Sequence, residues 1–590
     1  MNPSTTLARA VVDGLLAAGV RHVVLAPGSR SAPLAYEVQA ADRAGRLTLH
    51  VRVDERSAGF LALGLAKLSR VPAVVVTTSG TAVANLHPAV LEAHHGLVPL
   101  VVLSADRPAE LRGIGANQTT TQPGMFGEAT RFSAELDGAE GDASSWAAVA
   151  AAAARAARGG ATATAAAGAP PGPVHLNVAL REPLVPDLGE VPRVEWPETT
   201  GEGAGPGGGE PRIPEMLRLP DRTLVVIGDL PEPGQARRVA EWAGDLGWPV
   251  VAEPFGEQPL GPTVVPHGPL VLDTAWSAAH PPEHIVVAGR VTLSRSVRLA
   301  LTGDPERVTY LRAGPRWLGP SFEVGRTVDL DDALLGTIGP PGAGRVRWAS
   351  LWRTAGATVG SAVAHELPWG SGPALARALA AALPDGATLV VGSSNSVRDL
   401  EIAVDWSAMA RTTVTANRGL AGIDGVVSTA AGVALAHRSA TYALVGDLTF
   451  LHDVNALLIG PHEPRPDLTV VVVNDDGGGI FGTLEPGEPA RADDFERVFG
   501  TATGARIEDL ARAYGIGYAR ARTAAELAAA VAVPPRGLRV VEVPIDRRGH
   551  RVLRERLREM AERATAELVD PPPPQPGRPD RDYPERGMRV

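Results

Sequence analysis

The 590-residue sequence contains no cysteine. That excludes disulfides, thiolate nucleophiles and cysteine-based zinc sites, and it fits a cytoplasmic protein. Lysine is almost as scarce. Lys67 is the only one, and it lies inside an amphipathic helical pattern, which argues against Schiff-base and pyridoxal phosphate chemistry. There is no block of basic residues, and the net charge is −10, so no nucleic-acid partner is expected. No apolar run approaches the ~20 residues that a membrane-spanning helix needs, so no membrane insertion is expected. The N-terminal stretch MNPSTTLARAVVDGLLAAG alternates at helical spacing and lacks the layout of a signal peptide.

What is present is a long soluble composition, 44% hydrophobic and 21% charged, too long for a single core. Short apolar runs alternate with amphipathic stretches. In the first third these runs are 22–26, 47–53, 71–77, 99–103 and 173–178, with helical patterns between them and an Ala-rich, mostly helical segment over 139–168. Such a rhythm predicts an α/β fold of doubly wound parallel sheets. Three such domains are expected: 1–190, 214–345 and 350–550. A Gly-rich linker covers 191–213, a Gly/Pro-rich link falls near 339–344, and residues 551–590 form a C-terminal helix followed by a disordered Pro-rich tail. In the central unit, Gly228-Asp229 follows a strand, but no Gly-x-Gly-x-x-Gly comes after it, so that unit reads as structural.

The stretch GDLTFLHDVNALLIGPHEPRPDLTVVVVNDDGGGIF (446–481) organises the rest. A buried strand ends at Gly446-Asp447, a helical pattern follows, and a second strand ends at Asn474-Asp475-Asp476 and three glycines. Parallel strands joined by a helix bring both acidic tips to the sheet edge where α/β proteins bind ligands. Hard oxygen donors beside glycine backbone suit Mg²⁺ holding a diphosphate, while solvated turn carboxylates would share the same spacing. Glu55 opens another helix just after a strand, a position that also suits a helix-dipole carboxylate. Arg30, Arg107, Arg398 and Arg418 sit at strand ends and turns, where planar guanidinium forks suit carboxylate ligands.

The 446–481 stretch resembles the diphosphate-binding motif of thiamine diphosphate (ThDP) enzymes, in which Gly-Asp is followed, after a helix and a strand, by Asn-Asn. Here Asp475 stands where the second asparagine is usual, which leaves the choice between Mg²⁺ and Mn²⁺ open. The blocks APGSRSAPLA (26–35), DERSAGFLALGLAK (54–67), TSGTAVANLHPAVLEA (78–93), SADRPAEL (104–111), GANQTTTQPGMF (115–126) and NRGLAGIDGVVSTAAGVALA (417–436) occur in order. Together they resemble the 2-succinyl-5-enolpyruvyl-6-hydroxy-3-cyclohexene-1-carboxylate (SEPHCHC) synthase family, ThDP enzymes of menaquinone biosynthesis that combine 2-oxoglutarate with isochorismate and release CO₂.

The resemblance implies roles for particular residues. Glu55 would hydrogen-bond the cofactor's aminopyrimidine ring, and Asp447, Asp475 and the Gly477 carbonyl would hold the metal. Gly446, Leu448, Ser394, Ile423, Ile480 and Phe481 would complete the cofactor's surroundings, with Ile423 as the wedge that bends it. Ser29, Arg30, Arg107, Asn117 and Gln118 would face isochorismate, with Arg30 and Gln118 close to the chemistry and Arg295 lent by the central unit. Ser394, Arg398 and Arg418 would hold the distal carboxylate of the succinyl group. A homodimer or dimer of dimers is implied, because sites of this class are shared between two chains. Two other readings stay open: another ThDP carboligase of acetolactate-synthase type, and a catalytically silent metabolite-binding relative.

Overall fold

The computed structural model describes residues 2–162, 165–187, 196, 217–313, 322–331, 342–437 and 439–568. The expected linker, apart from Trp196, and the Pro-rich tail lie outside the described residues. Three sheets organise the chain. The first comprises β1 (His22–Leu25), β2 (Thr48–Val51), β3 (Ala73–Thr77), β4 (Leu100–Asp106), β5 (Ser133–Asp137) and β8 (Val174–Ala179) in the order β2-β1-β3-β4-β8-β5. All its pairings are parallel. A two-stranded ribbon, β6 (Gly160–Thr162) with β7 (Ala165–Ala169), precedes β8.

The second sheet is built from β9 (Thr223–Ile227), β10 (Val250–Ala252), β12 (His284–Ala288), β13 (Val308–Arg312) and β14 (Arg326–Asp329), ordered β10-β9-β12-β13-β14. The third sheet has seven strands in the order β11-β16-β15-β17-β18-β20-β19. Its strands are β11 (Gly256–Gln258), β15 (Ala387–Val391), β16 (Thr412–Ala416), β17 (Thr441–Gly446), β18 (Leu468–Asn474), β19 (Gly517–Arg520) and β20 (Leu538–Pro544). Its first strand comes from the central segment and runs antiparallel to β16. An all-parallel third sheet was the expectation. The three residues of β11, set between Pro254 and Pro259, carry no apolar alternation that would mark them as a strand.

Alternate strand residues enter different cores, as the two-residue side-chain period requires. Val74 and Val76 point into one cluster and Val75 into another. Leu444 and Val471 likewise part from Val445 and Val472. The core on one face of the first sheet is continuous with the core on one face of the third. At that seam helix Glu55–Lys67 crosses helix Val426–Ala436. The crossing requires glycine on both sides, because a Cβ on Gly64 would lie 2.1 Å from the Thr429 carbonyl and one on Gly432 2.3 Å from that of Leu61.

Local chemistry explains where the elements differ from the sequence pattern. The Ala-rich helix ends at Arg158, because Gly159 and Gly160 take positive φ of 81° and 93° and turn the chain into the ribbon. A single helix was expected from Ala82 to about Ala93. It is two, Thr81–Ala84 and His87–Gly96, with Pro88 starting the second. Helix Ala343–Glu366 overruns the link expected near 339–344. Its Trp348 and Trp352 pack into the central core beside Leu557 and Met560 of the C-terminal helix His550–Ala566.

Both outer sheets reverse their strand order, between β1 and β3 in one and between β15 and β17 in the other. The C-terminal strand edges beside such reversals are where open α/β sheets form ligand crevices. Most of the sequence-predicted site residues lie there.

Candidate active site

At the edge of the third sheet, Asp447 begins helix Asp447–His452 directly after β17, and Asp475 follows β18. Asp447 is 3% exposed, and the Asp475 side chain 11%. The Asp447 carboxyl lies within hydrogen-bonding reach of the Leu448 and Gly477 backbone N–H groups and of the Asp475 carboxyl. Burial, above all, holds both acids above the usual carboxylate range, and for Asp475 the adjacent Asp447 charge adds to it. Gly477 takes φ 137°, and a Cβ there would lie 1.9 Å from the Gly500 carbonyl, so only glycine lets the loop close over the two acids.

Arg547 Nη1 donates to the carbonyls of Asp475 (2.8 Å) and Asp476, and its Nη2 pairs with Glu496. His550 Nδ1 lies 4.0 Å from Asp475 Oδ2. Burial, the larger effect, lowers the pKa of that ring. Two acids desolvated against one another are a poor arrangement for the apoprotein and a good one for a dication, which relieves desolvation and repulsion together. The two predicted acid ligands are thus brought together, with the Gly477 N–H beside them, and their chemistry fits Mg²⁺. Among the described residues, no cluster of three or more His, Cys, Asp or Glu side chains is placed to hold a metal. The third donor here would be the Gly477 carbonyl.

A second constellation lies along the edge of the first sheet. Arg107, just after β4, donates from Nη1 to Ser79 Oγ and to the Gln118 carbonyl, both at 2.6 Å. Gln118, held at φ 52°, donates back from Nε2 to the Ser79 carbonyl at 2.9 Å. Arg30, in the turn after β1, donates to the Leu180 carbonyl at 2.9 Å. Burial and then the nearby Arg107 charge lower its pKa. Ser29, Asn117 and Gln118 are exposed on the same edge. Behind it Asn177 donates to Asp106, and Gln122 donates to Asn177 and to the Ala105 carbonyl while accepting from the Gly80 N–H, all buried.

A third group surrounds the end of β15. Arg398 Nη1 donates to the Ser393 and Ser394 carbonyls at 3.2 and 2.8 Å. Arg418 follows β16 and lies near enough to Arg398 to depress its pKa further, after burial. Ser393 Oγ donates to the Asn417 carbonyl at 2.6 Å, tying the two strand ends together. Ile423 and Ile480 are half-buried, while Phe481 is 37% exposed with its ring against Phe499.

Two predicted residues stand apart. Arg295 is exposed at the start of helix Arg295–Ala300. The central-segment residue that touches a predicted substrate arginine is Thr292, whose hydroxyl accepts from Arg418 at 2.6 Å. Glu55 is half-buried at the start of its helix. Its neighbours tie that helix to the far end of the one Asp447 opens: Arg56 donates to the His452 carbonyl, Ser57 to Asp453, and Asn455 donates to Asp54.

Sequence reasoning did not single out Ser79, Thr292, Glu253, Arg547 or His550. Ser79 lies within a block already noted, so its place could have been read from the Thr-Ser-Gly-Thr turn after β3. Arg547 and His550 are brought to Asp475 from far along the chain, and no local pattern marks them.

Residues 5–127 match the family described as thiamine pyrophosphate enzyme, N-terminal TPP binding domain, and residues 401–543 match its C-terminal TPP binding domain. The first range contains Glu55 and the second Asp447 and Asp475. Over nearly its whole length the chain is similar to curated 2-succinyl-5-enolpyruvyl-6-hydroxy-3-cyclohexene-1-carboxylate synthases. It is 48% identical to that of Kineococcus radiotolerans over 96% of this chain and 99% of the relative. Identity is 43% with that of Saccharopolyspora erythraea, over 94% and 98%. With that of Nocardia farcinica it is 44%, over 95% and 99%.

Proposed function

The chain belongs to the SEPHCHC synthase family of thiamine pyrophosphate enzymes, and from that premise we propose how its own residues divide the work. The family reaction belongs to menaquinone biosynthesis. It joins the succinyl unit of 2-oxoglutarate to isochorismate with loss of CO₂. ThDP supplies the electron sink that makes such decarboxylation and carbon–carbon bond formation accessible.

The observation that carries the assignment is the convergence of Asp447, Asp475 and the Gly477 loop on one buried, acid-rich strand edge. These residues would hold Mg²⁺, or Mn²⁺, against the cofactor's diphosphate, with Gly446 and Leu448 lining the approach. Glu55 would hold a hydrogen bond to the pyrimidine ring and control its proton. Ile423, Ile480 and Phe481 supply apolar surface that excludes water.

Both substrates carry several carboxylates, and the two arginine groups answer that charge. Arg398 and Arg418, with Ser394, would hold the distal carboxylate of 2-oxoglutarate. Arg30 and Arg107, with Ser29, Asn117 and Gln118, would receive isochorismate, and Arg30 and Gln118 stand where the new bond forms. Arg107 already has its Nη1 fixed by Ser79 and Gln118, so little rotamer entropy remains to be lost on binding.

The neighbours of Glu55 tie its helix to the far end of the one that begins with Asp447. The proposed active form is a two-fold dimer, the commonest closed symmetry, in which Glu55 of one chain serves the Asp447 edge of the other. A dimer of dimers would repeat the arrangement. Among the described residues no helix is long and apolar enough to cross a membrane. The cysteine-free sequence fits the cytoplasmic location that we propose.

The test is 2-oxoglutarate consumption with ThDP and Mg²⁺, with and without isochorismate, for the wild type and Glu55→Gln. Turnover that requires isochorismate and falls about 10²–10⁴-fold in the variant is the expected result. Turnover of pyruvate with 2-oxoglutarate ignored would overturn the arginine assignments.

A further inference from the structure

Of the four arginines assigned to substrates, only Arg418 is fully buried, at 5% exposure. Its Nε and Nη1 are nevertheless buried without a hydrogen-bond partner. Buried guanidinium N–H groups are seldom left unmade, because the desolvation cost is then uncompensated. They await an acceptor.

What fixes their direction comes from the central segment. Nη2 donates to Thr292 Oγ1 at 2.6 Å, and the guanidinium carbon sits 5.9 Å from the centre of the Phe255 ring. Thr292 is itself pinned by Glu253, which follows β10. Glu253 Oε1 accepts from the N–H groups of Thr292 and Leu293 at 2.6 and 2.8 Å, and Oε2 faces Thr292 Oγ1 at 3.4 Å. A hydroxyl that accepts from an arginine has one proton left to give, and the Glu253 carboxylate stands ready to take it. Glu253 is 3% exposed. The Phe255 N–H donates to the Glu253 carbonyl at 2.8 Å, so one short turn carries both the ring beside the guanidinium and the acid that pins Thr292.

We infer that Glu253 and Thr292 are positioning residues for 2-oxoglutarate recognition: they aim the unpartnered edge of Arg418 at the substrate carboxylate without touching the substrate. Through them the central sheet, which holds none of the proposed cofactor ligands, sets the specificity of the site. The inference rests on the reading of Arg418 as a carboxylate ligand.

Steady-state kinetics on the full chain loaded with ThDP and Mg²⁺ test it, using Thr292→Val, Thr292→Ser, Glu253→Gln and Arg418→Ala. Valine keeps the volume of threonine and removes the acceptor. Thr292→Val should raise KM for 2-oxoglutarate about tenfold, the worth of one hydrogen bond to a charged group. KM for isochorismate and ThDP affinity should hold. Thr292→Ser should restore the wild-type KM, and Glu253→Gln should shift KM in the same direction as valine. If Arg418→Ala raises that KM while Thr292→Val leaves it alone, the positioning role is overturned and the reading of Arg418 stands. A uniform loss in kcat and both KM values that serine fails to rescue would mean packing alone, and would also overturn it. If Arg418→Ala itself leaves KM for 2-oxoglutarate unchanged, the reading of Arg418 falls and the inference with it.

Discussion

Two edges of the third sheet use burial in opposite ways. At the Asp447–Asp475 edge, two acids face one another, and the nearest cations are occupied elsewhere. Arg547 donates to backbone carbonyls and to Glu496, and burial disfavours the charged form of His550. At the Arg398–Arg418 edge, the cations are backed by buried acids: Glu253 and Glu401, with Asp399 paired to Arg554 at 2.5 Å. At the acidic edge the charge of Arg547 only partly offsets the two acids, and the proposed dication would complete it from outside. At the basic edge burial opposes the charge of Glu253 and Glu401, so the arginines keep positive charge for the substrate. Affinity at the first should therefore depend on the ligands themselves, and at the second on how the supporting acids and hydroxyls are arranged.

The sharpest break in that contrast is Asp447→Ala. Removing a direct ligand should weaken ThDP binding in the presence of Mg²⁺ by more than the ~10–100-fold typical of groups that only orient ligands. Calorimetric titration reads this directly. An unchanged affinity would remove Asp447 from the metal site and dissolve the comparison.

Arg547→Ala comes next. This side chain touches the Asp475 and Asp476 carbonyls and no proposed ligand atom. Its loss should cost about tenfold in Mg²⁺-dependent ThDP affinity and leave KM for 2-oxoglutarate unchanged. A change in KM with intact ThDP affinity would mean that the two edges are not independent.

The contrast also explains what was legible in the sequence. Asp447, Asp475 and Gly477 sit at strand ends in a β–helix–β unit, and the period of that unit places them together whatever surrounds them. Several of the strands that escaped notice lack a simple apolar signature. β5 reads Ser-Ala-Glu-Leu-Asp with only Leu136 buried, β11 is three residues between prolines, and β19 is largely exposed. Arg398 and Arg418 could be marked as strand-end cations, but their supports could not. Glu253 and Thr292 are drawn to Arg418 by the packing of the central segment against the third sheet, a contact that leaves no periodic trace. Arg295, expected on the isochorismate side, lies exposed at the start of its helix, and Thr292, three residues earlier in the same segment, is drawn to Arg418 by tertiary packing.

The smallest expected effect concerns Glu401, on the helix that carries Arg398. The groups facing it are Glu253, Arg398, Arg554 and Arg418, while Glu253 in turn faces Arg418 and Asp229. Burial, and then the charge of Glu253, holds the Glu401 carboxyl well above the usual range, and burial raises Glu253 likewise. At the acidic end of the working range the pair keeps a proton, and the arginines are left with uncompensated charge for the substrate carboxylate. As pH rises through the raised values the proton is lost, and the new negative charge competes with 2-oxoglutarate for Arg398 and Arg418. KM for 2-oxoglutarate should therefore climb a few-fold between about pH 6 and 9. Glu401→Gln cannot ionise, so its KM should vary less over that range, while ThDP affinity keeps the wild-type pH dependence because the acidic edge is untouched. A variant whose KM climbs as steeply as the wild type would show that the acids behind the arginines hold them in place without modulating their charge, and the basic edge would then be as indifferent to its interior as the acidic one.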